Sequence, residues 1–135
     1  MVDAGDLTWK SLAIPEDRLA QQRQKAELQL EVYASGGVDA MLPGKADLAL
    51  GVDWLAAAAN RYGVPYVAAN LDCSGWDLPP AIRSTRNGVS VVFIGVVGER
   101  LLQGLHGGFL AVRAPKAPIN RAQRWAVRKG ASVLR

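Results

Sequence analysis

A chain of 135 residues, half of them hydrophobic, can bury one modest core and sits near the commonest single-domain size. One cysteine, Cys73, and one histidine, His106, exclude an intramolecular disulfide and any Cys/His ligand cluster drawn from this chain, so zinc-finger and thiol-redox functions fall away. The formal net charge of +4 is unevenly placed: seven basic and no acidic residues lie from Arg113 onward, against nine basic and twelve acidic before it.

The opening "MVDAGDLTWK" puts aspartates where a signal peptide needs a basic flank and a long apolar run, and no window approaches the ~18 apolar residues of a membrane span. No leader and no membrane partner are expected, and the compartment is left open. "VDAGD" reads as the last residues of a strand entering a loop, with nothing before it to begin that strand. "PEDRLAQQRQKAELQLEVYASGG" has acidic residues in its first turn, Leu19, Ala26, Leu30 and Tyr33 at helical spacing, and a Gly36-Gly37 stop, which predicts a helix. "VDAML" reads as a short buried strand ended by Pro43-Gly44, and "GVDWLAAAANRYG" as a second helix closed by Gly63. "VPYVAANL" is a strand, Pro79-Pro80 an extended connector, and "AIRSTRNGVSVVFIGVVG" a hairpin turning at Asn87-Gly88. Its second arm is apolar enough to be expected at the centre of a sheet.

Residues 113–135 form a basic tail after a core of residues 1–112. The tail is expected to be helical over 120–129, with Ala122, Trp125 and Ala126 on one face and Arg121, Arg124 and Arg128 on another. Such a tail can meet phosphate backbones or anionic lipid. A solvated end is the favoured reading, and nucleic acid is not the expected partner.

Strand, helix, strand, helix, strand and hairpin is the grammar of an α/β fold, a mixed sheet with flanking helices. Right-handed connections would bring the loops after Ala4, Leu42 and Ala69 to one rim. They carry "GDLTWK", "PGKAD" and "NLDCSGW". A Gly-Asp pair after a buried strand suits a hard cation or a phosphate-bound metal, and equally a common turn. Asn70 is placed to tie a loop through its amide. Trp9 and Trp76 either cover the ends of the core or edge a pocket, and Cys73 is read as a half-buried packing residue.

The order "VDAGDL", helix, "GVDAMLPGKADLALGVDWL", helix, "GVPYVAANL" and a hairpin closing on "VSVVFIGVVGE" resembles the calcineurin-like metallophosphoesterases, specifically their 5'-nucleotidase branch. The resemblance covers about residues 2–99 and implies part of a metallophosphoesterase-like sandwich. It places the family's metal-bridging Gly-Asp on Gly5 and Asp6. Aligning the following helix start on Gly51, Asp53 and Leu55 places its Gly-Asn-His-Glu/Asp motif on Gly44, Lys45, Ala46 and Asp47. The family's asparagine ligates a second metal and its histidine assists the leaving group. Lysine here offers three donors and no lone pair, and alanine cannot move a proton. Loss of the general acid alone commonly lowers rate ~10²- to 10⁴-fold.

The family's upstream Asp-x-His segment has no counterpart before Gly5, and His106 is the only histidine left for the downstream loops. The resemblance therefore implies a divalent metal (Mn, Zn or Mg) held by Asp6 if a centre forms, with Asp47 in support, and otherwise none. Two accounts stand: a truncated piece of a longer nucleotidase-like protein, or a chain reused without catalysis. The functions open are an impaired hydrolase of phosphate monoesters, a non-catalytic nucleotide- or phosphate-binding module using Lys45, and nucleic-acid binding through the basic tail. Exposed sheet edges make a homodimer an expected assembly.

Overall fold

The molecule is built around short extended segments that run side by side. The structure, a computed structural model, describes residues 1–6, 14–103, 105, 110–114 and 116–128. Strand β1 (Val2–Asp3) lies parallel to β2 (Ala40–Met41), with Val2 opposite Ala40 and Asp3 opposite Met41. On the other side of β2 the chain at Tyr66 continues the parallel array: Met41 N donates to Pro65 O at 2.9 Å and Val67 N to Met41 O at 2.8 Å. Ala69 N then donates to Gly95 O at 2.7 Å. Ala40 and Met41 are buried on both faces, as expected of a strand without hydrophobic alternation.

Helix α1 (Glu16–Ser35) starts after Pro15 with Glu16 and Asp17 in its first turn, where negative charge suits the helix dipole. It stops at Gly36-Gly37, whose amides return to the carbonyls of Val32 and Ala34. Gln22, Ala26 and Leu30, four residues apart, form its buried stripe. Helix α2 (Lys45–Leu48) is a single turn that sequence reasoning left as loop, and α3 (Val52–Tyr62) follows it to a left-handed stop at Gly63. α1 packs on α3. Leu30, Met41, Leu55 and Leu48 belong to one continuous core that Tyr66, Leu78 and Val97 complete.

Strand β3 (Leu71–Cys73) pairs antiparallel with a segment not anticipated as a strand, β6 (Leu110–Val112), Leu71 facing Val112. The hairpin forms as expected from β4 (Ile82–Arg86) and β5 (Val89–Phe93), joined by Asn87 (φ 50°) and Gly88 (φ 79°), the doubly positive geometry of a two-residue turn. Its second arm is not central, however: among the described residues β5 pairs with β4 alone, and Val89 and Val91 are exposed. The apolar run serves the core only further on, where Gly95 meets Ala69 and Val97 is buried. A short 3-10 turn (Glu99–Leu102) follows, and helix α4 (Lys116–Arg128) begins earlier than the 120–129 expected. Among the described residues, no helix is long and apolar enough to cross a membrane.

Candidate functional site

The loops after β1 and β2 meet directly. Gly5 (φ 94°) and Asp6 (φ 58°) both take left-handed backbone, which disfavours any residue with a Cβ and is eased for aspartate by its local hydrogen bonding. Two hydrogen bonds hold Asp6 in that conformation against the second loop, and a third braces that loop itself. The Asp6 amide donates to Asp47 Oδ2 at 2.9 Å, its own Oδ1 accepts from Ala46 N at 2.7 Å, and Gly44 N also donates to Asp47 Oδ2 at 2.9 Å. Asp47, three residues into the turn that Gly44 opens, thus closes the start of α2 and clasps the first loop with the same oxygen.

The approach is tight enough to require glycine on both sides. A Cβ on Gly5 would stand 2.5 Å from Gly44 N and 2.7 Å from Leu42 O. One on Gly44 would stand 2.5 Å from Asp6 Oδ1, and closer still to Asp6 N.

Two further groups support the first loop. Asp3 Oδ1 accepts from Gly5 N at 2.8 Å, and its Oδ2 accepts from the Tyr33 hydroxyl at 3.1 Å. Burial raises the pKa of the Tyr33 phenol, and the bond to Asp3 and that residue's charge add to the rise. Sequence reasoning passed over Asp3. Its signal was present, since an aspartate two residues before a glycine commonly folds its side chain onto the following backbone. The Tyr66 hydroxyl is buried with no hydrogen-bond partner among the described residues, and burial, then Asp47, then Asp3 push its pKa upward.

The structure therefore gathers Gly5, Asp6, Gly44, Lys45, Ala46 and Asp47 at one place, with Asp6 exposed, Lys45 half-buried and Asp47 fully buried. Asn70 serves elsewhere. Its amide donates to Val97 O at 2.8 Å and Arg113 O at 3.0 Å, and its carbonyl accepts from Val97 N at 2.9 Å, so its polar atoms stitch backbone segments together. His106 and Trp9 lie outside the described residues.

These groups do not fit a two-metal centre. Among the described residues no group of three or more Asp, Glu, His or Cys side chains is arranged so that it could hold a metal ion. One Asp6 oxygen is engaged by an amide and one Asp47 oxygen by two, and of the residues beside them a protonated lysine and an alanine offer no lone pair to a metal from their side chains.

No family model and no curated protein matches the sequence. Solved structures do. The calcineurin-like phosphoesterase YfkN of Bacillus subtilis superposes with a TM-score of 0.73 at 22% identity, over 98% of this chain and 45% of that one. The sulfate thiohydrolase SoxB of Thermus thermophilus gives 0.71 at 15% identity, over 96% of this chain and 24% of its own. A 5'-nucleotidase precursor, also from Thermus thermophilus, gives 0.70 at 22% identity, over 96% and 25%. The chain spans less than half the length of each. It has, over that span, part of the fold shared by calcineurin-like phosphoesterases and 5'-nucleotidases.

Proposed function

We propose that this chain is a metallophosphoesterase-like domain, impaired in the hydrolysis of phosphate monoesters. The observation that supports the reading is Ala46, whose amide lies 2.7 Å from the Asp6 carboxylate and which the sequence resemblance aligns with the family's histidine. Without a proton donor there, and with Lys45 in place of a metal-binding amide, the loop pair can hold an oxyanion but cannot activate its ester. The test is phosphate release from a nucleoside monophosphate by the purified chain with added manganese. The expected rate equals the metal-free blank, and metal-dependent turnover above it refutes the impairment.

The position of Lys45 favours a second reading, in which the domain binds nucleotide or phosphate without metal. Lys45 opens α2, one residue before the amide that contacts Asp6, and in this reading its ammonium attracts phosphate as a point charge. Equilibrium dialysis against a nucleoside monophosphate in the presence of a chelator tests it. Lys45→Glu is expected to abolish binding, and unchanged affinity refutes the reading.

A further inference from the structure

A second concavity shares no residue with the two loops. It is a cleft of about 510 Å³, within the ~300–1,000 Å³ typical of small-molecule sites. Its floor is apolar and buried, made by Ala69, Leu71 and Leu78. Its wall is Trp76, half-buried and held by two constraints. The turn Cys73–Trp76, with Gly75 at φ 80°, fixes its backbone, and an edge-on contact with Tyr66 of the core, 5.2 Å between ring centroids at 71°, fixes its indole.

The rim carries Arg113 and Arg121. Arg113 is tied to Asn70 through its own amide and carbonyl, and its guanidinium pairs with Asp72 at 2.9 Å. Arg121, on α4, is exposed and forms no ion pair among the described residues. Asp77 is the remaining charged group of the lining, so once Arg113 and Asp72 cancel, one cation and one anion are left. That balance disfavours polyanions and leaves a single guanidinium fork for one planar oxyanion, the geometry of a bidentate carboxylate pair. A rigid indole beside an apolar floor suits a flat ring.

We propose that this cleft binds a small aromatic monocarboxylate, its ring against Trp76 and its carboxylate on Arg121. The step is recognition only. Cys73 lines the same cleft, but burial and then Asp72 push its thiol up to about 11, which leaves it protonated and unreactive at neutral pH.

The test follows the Trp76 indole N–H by NMR in the whole chain, assigned by its loss in Trp76→Phe, as benzoate is added. Saturable shifts are expected, with affinity falling about tenfold in Arg121→Gln, a substitution at an exposed position whose folding the unchanged remainder of the spectrum checks. Cyclohexanecarboxylate, equal in charge but not flat, and phenyl phosphate, more highly charged, are both expected to bind more weakly than benzoate. Absence of saturation, equal affinity in Arg121→Gln, or equal binding of cyclohexanecarboxylate or phenyl phosphate overturns the proposal. Lys45→Glu is expected to leave benzoate binding unchanged, which separates this cleft from the loop pair; loss of binding in that variant also overturns it.

Discussion

Gly44→Ala should be among the most damaging small substitutions in this chain. The added methyl would stand 2.5 Å from Asp6 Oδ1 and 2.8 Å from Asp6 Cα, with Asp6 N nearer still, so the obstacle is largely backbone and cannot rotate away. Relief requires the two loops to separate. Separation breaks the bond from Ala46 N to Asp6 and that from Asp6 N to Asp47, and strips one of two amide donors from a carboxylate with no solvent exposure. Hydrogen bonds to charged acceptors contribute ~1.5–3 kcal/mol each. Relaxation of the left-handed Asp6 returns ~1–2 kcal/mol, so the net loss is about 3 kcal/mol, large for one methyl. Urea denaturation of parent and variant measures it through the shift in midpoint at constant m. Gly98→Ala is the control, since its backbone (φ −77°, ψ 155°) resembles that of Gly44 (φ −87°, ψ 171°) but has nothing within 4 Å of the added methyl, and its stability should change by less than ~1 kcal/mol. A Gly44→Ala variant within 1 kcal/mol of the parent would refute the argument that the loops are clasped this closely.

Asn70→Ala should destabilise by ~2–4 kcal/mol, because it leaves Val97 N and O and Arg113 O without their partners; chemical denaturation reads the loss. Asp39 is held well below the usual carboxylate range by the amino group of Met1 first, then by Ser84 and Arg86. A lowered folded-state pKa gives stability that is complete above the unfolded value and lost on acidification, so thermal stability should fall below about pH 4. In Asp39→Asn that fall should be shallower, and identical pH profiles would contradict the assignment. The raised Cys73 thiol should make alkylation by iodoacetamide at pH 8 at least ~10-fold slower in the native chain than in urea, a ratio that mass spectrometry can follow.

Sequence carried the regular elements well where the signal is local. The α1 stop at Gly36-Gly37, the α3 stop at Gly63 and the Asn87-Gly88 turn are each decided by a few adjacent residues, and each stands where expected. The order of the loops also brought Asp6 and the Gly44–Asp47 turn to one rim. Pairing was harder to read. The run after Asn87-Gly88 is apolar enough for a central strand, yet the side chains of Val89 and Val91 face solvent, because burial depends on neighbours that one strand's composition does not name. β6 escaped notice for the same reason, three residues whose partner lies some forty positions earlier. The single turn α2 depends on Asp47 reaching back to Gly44, so a residue assigned to the support of a metal site also serves as a cap. Asn70 was legible as a residue that ties a loop through its amide, and that amide holds Val97 and Arg113; which segments it joins was not.

The contact between Asp6 and Asp47 joins positions 41 residues apart, whereas the helices beside it need only neighbours in sequence to begin forming. Ordering the intervening chain costs entropy before any bond across the gap can repay it. The clasp should therefore belong to the last stage of folding, absent from the rate-limiting barrier. Weakening it would shorten the lifetime of the finished molecule far more than it would delay its assembly.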